Sequence, residues 1–324
     1  MFGSADLKLC GTALLLVLGV LANVFNLMVM IVQQWRSRCV KTVAVIICFI
    51  SLGNVLLQIS TFVLVASVWA GVLCWPDLPF FFCAVLFVWL SSSSVSFWSV
   101  AWLSVLYCMR VLSFSSVLFR ALKENISTIL NVLLVVTLLT SCVIFTPFFY
   151  LQFKSKILYP KNTTEEAACV FRKPLFPAWV DVSVYVIIFI FYLALMPLMI
   201  MLPTSLRLVV YLCKHTLSMQ KKQSGSQAAK SYLLVCRLTV ALVWVYLTTL
   251  LTISLYYFHV IFSSGLSADM LFLGLSFYCV ASAILLTCSN KNLREKVRVL
   301  VCRGKNTNIM ARSAKDQSGI TAKV

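Results

Sequence analysis

The side chains that do bond chemistry in most proteins are scarce and scattered in this chain. There are two histidines in 324 residues, His215 and His259. They fall at opposite ends of any bundle the apolar segments can form, so they cannot share a metal ion. No pair of carboxylates lies inside an apolar segment, which removes the usual acid–base couple. Pumps and ion-coupled transporters carry Asp, Glu or Lys at membrane depth, and here that interior is nearly empty of ionisable groups. The last apolar segment holds no lysine, so it cannot form a retinal Schiff base. What the segments do hold is aromatic rings and hydroxyls. Such a lining suits the non-covalent capture of small, largely uncharged molecules, with no catalysis, metal or cofactor expected.

The elements that must position those rings are seven long apolar runs. They are Leu9–Val32, Val43–Gly71, Phe80–Met109, Ile126–Leu151, Trp179–Leu212, Tyr232–Phe262 and Ala268–Ser289. A run of 18 or more apolar residues reads as a spanning helix, because lipid offers backbone groups no hydrogen-bond partners. With 61% apolar and 11% charged residues, a water-soluble bundle is excluded, since it would need polar stripes along its helices. Alternating the runs across a membrane sorts the charge. One face receives 21 of the 27 Lys/Arg and three acids, Glu124, Glu295 and Asp316. The other receives six of each sign. Basic residues stay on the cytoplasmic side, so the N-terminus is expected outside and the C-terminus inside. The basic edge also attracts anionic membrane lipids. Nucleic acid is an unsuitable partner, because the charges flank spans rather than form a folded basic face.

That topology assigns the remaining motifs. Residues Met1–Lys8 are the expected N-terminal exterior, and the first run is too long for an ordinary cleaved signal, so it is expected to act as an anchor. The second outer loop, about Gln152–Ala178, is the one long connection outside. It carries the sequon Asn162-Thr163-Thr164. A second sequon, Asn125-Ile126-Ser127, falls on the inner side. Asn162 is therefore expected to be glycosylated and Asn125 not; a glycosidase-sensitive shift that disappears with Asn125→Gln would reverse the orientation. Of the 13 cysteines, Cys74, Cys83 and Cys169 fall at the outer face, where one bridge from Cys169 to Cys83 or Cys74 is chemically permitted. Cys302, at the inner surface, suits palmitoylation or a plain free thiol. The third inner loop is expected over Cys213–Ser231, with a soft centre of Gln, Ser and Gly. After the seventh run, Leu293, Val297, Leu300 and Val301 share a face opposite Lys291, Arg294 and Arg298, which reads as an interfacial amphipathic helix. Residues 1–302 form the membrane domain, and 303–324 read as a disordered tail.

Three stretches resemble the type-2 (bitter) taste receptors of the G-protein-coupled class. The most specific is Pro197-Leu-Met-Ile-Met-Leu-Pro-Thr-Ser-Leu206, running into Leu212-Cys-Lys-His-Thr-Leu-Ser-Met-Gln220. The second begins at Phe97-Trp98, passes Leu103-Ser104 and Tyr107 to Arg110, and continues through Ser113-Phe114-Ser115 to Leu122-Lys123. The third is Gly19-Val-Leu-Ala-Asn23-Val-Phe25. The resemblance covers residues 9 to 302 and implies a seven-transmembrane helix bundle at the plasma membrane. It implies bitter-type small-molecule agonists and a heterotrimeric, gustducin-like G protein as partners. It places Trp89 at the pocket floor on helix three, with Ser93 one turn below. Tyr246 matches the helix-six tyrosine beneath bound agonist, and Tyr278 a helix-seven tyrosine near the core. Tyr107, Arg110, Lys123, Lys214, His215 and Met219 match positions near the G-protein cavity. Arg110 and Lys123 also read simply as cations snorkelling to phosphate, and His215 as a helix-end cap.

The departures from the family pattern are specific. Leu52-Gly53-Asn54 stands where the family usually has Ser-Arg, so Asn54 must replace a buried cation with a neutral network, expected to include Asn23. Ser282-Ala283 stands where helix seven usually has His-Ser or His-Pro. Phe272 occupies a pocket position where some members carry Glu, so a ligand ammonium would find no ion pair there. Ala228-Ala229 falls near the usual helix-six histidine. The resemblance therefore implies a divergent member. A vomeronasal type-1 chemosensor is the alternative within the seven-helix class, disfavoured by the Leu-Cys-Lys-His and Met-Gln run. A small-solute transporter is the alternative outside it, disfavoured by the absence of repeats and intramembrane charge.

Overall fold

The computed structural model describes residues 4–38, 41–69, 79–112, 117–146, 191–221, 226–262, 269–290 and 293–299. Seven long helices carry the apolar runs: α1 (Ser4–Ser37), α2 (Thr42–Trp69), α3 (Pro79–Val111), α4 (Val117–Phe145), α5 (Met196–Lys221), α6 (Ser226–Phe262) and α7 (Asp269–Ser289). A π-helical turn, Phe191–Leu195, leads into α5. Each has a segment long and apolar enough to cross a membrane. Their ends follow local chemistry. Pro79 opens α3, where a missing N–H costs nothing, and Asp269 is the first residue of α7. Past the end of α1, Arg38 takes φ 50°, the left-handed conformation that closes many helices.

Helix directions follow from the contacts. Asn23 and Asn26 of α1 reach Cys279 and Ala283 of α7, so these two helices run parallel. Asn54 and Thr61 of α2 meet Ser96 and Trp89 of α3 in reverse order, so these run antiparallel. Ser94 and Trp102 of α3 meet Ser141 and Thr137 of α4, again antiparallel. The alternation gathers Arg36, Lys41, Arg110, Lys123 and Lys214 at one end, hereafter the basic end. Helix α3 is the central element, with 72% of its spanning window buried against 22% for α1.

The bundle is built for lipid. Large apolar side chains such as Val143, Met199, Leu206 and Trp244 face outward. Inside, among the described residues, the buried polar and charged positions are all Asn, Gln, Ser or Thr. Serines 91 to 94 are all buried in α3, and such small residues let neighbouring backbones approach closely.

Helix bounds differ from the sequence expectation at the basic end. Helix α4 starts at Val117 rather than Ile126. Helices α5 and α6 extend to Lys221 and from Ser226, so most of the expected loop over Cys213–Ser231 is helical. A helix need not stop where lipid stops, and Arg, Lys, Met and Ala continue one readily once its nucleus exists. After α7, residues 293–299 are helical, with Leu293 fully buried and Val297 half-buried. Two positions of the expected apolar face therefore point inward.

Candidate functional site

The interior is organised as a polar layer beneath an aromatic layer. The polar layer centres on Asn54, which is fully buried. Its Nδ2 donates to Asn23 Oδ1 at 3.2 Å and to Ser282 Oγ at 3.0 Å. Its Oδ1 accepts from Ser96 Oγ at 2.7 Å. Ser96 and the Tyr278 hydroxyl share a further hydrogen bond of 3.0 Å. Asn23 also donates to the carbonyls of Gly19 and Cys279. One neutral network thus joins α1, α2, α3 and α7. The expected replacement for the family's buried arginine is present, with Asn23 as a partner. Ser282, at the departed histidine position, is another.

The aromatic layer begins directly beside it. Phe97 stands edge-on to both Tyr246 and Tyr278, with ring centroids 5.2 and 4.9 Å away. Such edge-to-face pairs place a positive ring edge against a negative ring face. Tyr246 is fully buried on α6, and its hydroxyl donates 2.9 Å to the Ala194 carbonyl. Ala194 lies in the π-helical turn, where the wider winding alters the backbone pairing. Both tyrosine hydroxyls are therefore engaged within the protein.

Trp89 sits two turns along α3 from Ser96 and is 8% exposed. Its Nε1 donates to Thr61 Oγ1 of α2 at 3.0 Å, which fixes the indole plane. Its ring meets Phe272 of α7 in a T-shaped contact at 6.3 Å. Ser93 lies one turn below, and its hydroxyl donates 2.6 Å to the Trp89 carbonyl. The pair Trp89 and Phe272 thus bridges α3 and α7 with apolar ring surface, while Tyr246, Phe97 and Tyr278 form a packed base. The five residues singled out by sequence share this half of the interior. Thr61, Ser96 and Phe97 were not singled out as site residues. Thr61 lies seven residues from Asn54, as Ser96 does from Trp89, so each helix carries its two polar contacts on one face.

A second cluster on α3, α4 and the π-helical turn faces away from that layer. Trp98 packs on Trp102 and Tyr192, and the Tyr192 hydroxyl bonds Thr140 of α4. Trp102 Nε1 donates to Thr137. Ser104 of α3 bonds Thr204 and Ser205 of α5. These contacts lock α3, α4 and α5 together.

At the basic end, Lys123 Nζ donates 2.9 Å to the Leu112 carbonyl, capping the end of α3. Tyr107 is half-buried, whereas Arg110 and Lys214 are exposed. His215 stacks on Tyr211 within α5, with centroids 6.0 Å apart. Met219 is also in α5, but its side chain lies outside the described residues. The Gln34 amide binds both the N–H and the carbonyl of Lys41, closing the α1–α2 turn. Asn162 and Cys169 lie outside the described residues, as does the side chain of Cys83.

These features define a multi-pass membrane protein: a seven-helix bundle whose described residues give it a neutral interior and a basic end. The family model described as taste receptor protein (TAS2R) matches residues 5–305. The chain belongs to that family, which is a family of receptors and not of enzymes. It is similar to taste receptor type 2 member 40 of Gallus gallus, at 25% identity over 225 residues. That match covers 64% of this chain and 66% of the relative, just under two thirds of the relative's length.

Proposed function

We propose that this chain is a bitter taste-type chemosensory receptor of the plasma membrane, with its N-terminus outside and its basic end in the cytoplasm. Small, mostly apolar agonists enter from outside between α3, α5, α6 and α7 and rest against Trp89 and Phe272. The observation that carries this reading is the Trp89–Phe272 bridge above a base whose tyrosine hydroxyls are already engaged. A ligand there is recognised by ring contact and shape, with Ser93 oxygen lone pairs as local acceptors. Among the described residues, no buried cation or carboxylate is offered to a charged ligand. The base supplies the coupling route: Tyr246 holds α6 to the π-helical turn before α5, and Tyr278 holds α7 to the Asn54 network. Agonist binding biases the bundle toward a state in which α6 opens at the basic end. There Tyr107, Arg110, Lys214, His215 and Met219 meet a gustducin-like heterotrimeric G protein, and Lys123 supports them by holding the end of α3.

Trp89→Ala tests the pocket. The variant is expected to reach the cell surface in normal amount and to lose the agonist-evoked calcium response in cells supplied with a gustducin-like G protein. Truncating an aromatic anchor at a binding contact typically costs about 2–4 kcal/mol of affinity, and each 1.4 kcal/mol is about tenfold in Kd, enough to move a dose–response curve out of measurable range. An unchanged curve would remove Trp89 from the ligand site.

A further inference from the structure

Two buried polar side chains converge one turn above the Asn54 layer. Gln58 of α2 is 1% exposed, and neither its Nε2 nor its Oε1 has a hydrogen-bond partner among the described residues. Ser276 of α7 is also 1% exposed, and its Oγ has none there either. Three contacts fix where the two lie. A Cβ built on Gly19 of α1 would fall on the Gln58 amide, so that amide lies against the Gly19 backbone. Asn23 meets Cys279, and Asn26 meets Ala283. The same register sets Gly19, one turn farther from the basic end, beside residues 275 and 276. Of these, Ser276 stands seven residues before Ala283, close to two full turns, and so shares its face toward α1. Gln58 and Ser276 therefore approach one another over Gly19, where α1, α2 and α7 meet. Thr61, three residues beyond Gln58, binds the Trp89 indole, and Phe272, four residues before Ser276, meets its ring. The indole thus spans α2 and α7 directly above the pair.

A glutamine amide has two N–H donors and a carbonyl acceptor, and a hydroxyl both donates and accepts. Leaving such capacity unused inside a dry bundle costs stability. Sequences break that rule chiefly where a site needs it. We propose that Gln58 and Ser276 form a polar subsite beneath the Trp89 indole, which binds a neutral carboxamide or lactam group of the agonist. The proposal rests on the receptor reading and names the one polar group that an otherwise apolar agonist carries. Such a group presents a donor and an acceptor side by side. Its N–H donates to Gln58 Oε1, while Gln58 Nε2 donates to its carbonyl. Ser276 meets the remaining lone pair. A charged group is disfavoured by the same surroundings, because no charged side chain is buried among the described residues to neutralise it. The ring body of the agonist then lies a turn farther out, against Trp89 and Phe272. Phe272 is half-buried, so the cover on that side is a side chain rather than backbone. Gly19 leaves the space that the Gln58 amide fills.

Matched compounds test the subsite. Substituted benzamides are each paired with the isopropylbenzene of the same shape and applied to cells carrying the full receptor and a gustducin-like G protein. The native receptor is expected to prefer the benzamide by at least about tenfold in potency, because a site that hydrogen-bonds a group rejects the analogue lacking it. Gln58→Met, which keeps an unbranched side chain of similar length, is expected to abolish that preference. Gly19→Ala is expected to do the same by displacing the amide, and it moves only the end of a flexible side chain. Equal potency of the paired compounds on the native receptor would overturn the subsite. So would a preference that survives Gln58→Met, or activation by amide-free compounds alone. Melting temperature separates binding from packing. Gln58→Met is expected to hold or raise it, since the amide makes no bond within the described residues. A fall of several degrees would make Gln58 a structural or water-bridging residue and overturn its role as a ligand group. Silence toward every compound, amide or not, would instead remove the receptor reading on which the subsite rests.

Discussion

Asn54→Leu is expected to lower the unfolding free energy of the purified receptor by about 2–5 kcal/mol, taking three interhelical hydrogen bonds at about 0.6–1.7 kcal/mol each. The substitution keeps the number and branching of side-chain heavy atoms but removes the bonds to Asn23, Ser282 and Ser96. It strands the Asn23 carbonyl oxygen in a dry layer, whereas Ser96 retains Tyr278 and Ser282 retains the Cys279 carbonyl. The measurement is the melting temperature in detergent, with surface expression as its cellular counterpart. Asn54→Arg sharpens the test, because it restores the family's usual residue. It is expected to be worse than Asn54→Leu, since no buried carboxylate stands among the described residues to pair the guanidinium. A lone charge at membrane depth costs at least about 2.5–3.5 kcal/mol. Equal stability of Asn54→Arg and native receptor would mean that the neutral network does not replace the cation.

Gly53→Ile is expected to be more damaging than its exposed neighbour Leu52→Ile. A Cβ at Gly53 would stand 3.2 Å from the Ser92 carbonyl oxygen and 3.3 Å from Ser96 Cβ. The nearest obstacle is backbone, which cannot swing aside as a flexible side chain would. An Ala here asks α2 and α3 to part by a few tenths of an ångström; a β-branched side chain asks for far more. Overpacking of this kind typically costs about 1–3 kcal/mol, and the displacement also stretches the Asn54–Ser96 and Thr61–Trp89 bonds. Surface expression and melting temperature should both fall. A native-like melting temperature would show that α2 and α3 do not depend on this close approach.

How much of this could be read from the sequence divides along physical lines. The seven spans were legible because lipid enforces a long apolar run wherever a helix crosses it. The ends of α4, α5 and α6 were not, because nothing in a Lys- or Arg-containing segment marks where helix yields to loop beyond the membrane. The Asn54–Asn23 partnership was legible because a missing cation in a dry interior leaves its neighbours to be satisfied by something neutral. The Trp89–Thr61 bond was not, although both helices carry their contacts seven residues apart. Facing residues are known only once the register of α2 against α3 is known, and apolar patterning around a lipid-facing bundle does not fix that register. The tyrosines illustrate a third limit. Residue type places Tyr246 and Tyr278 near the core, but only coordinates show their hydroxyls already bonded to Ala194 and Ser96.

The central claim is that ligand capture inside this bundle is relayed to a G protein. The most direct test is a calcium measurement across a library of small, mostly apolar compounds, in paired cell lines with and without the gustducin-like G protein. The receptor is expected to yield concentration-dependent responses in the first line and none in the second, at equal surface amounts. Solute uptake or ion flux that persists in the second line would contradict the account and make the bundle a transport path instead.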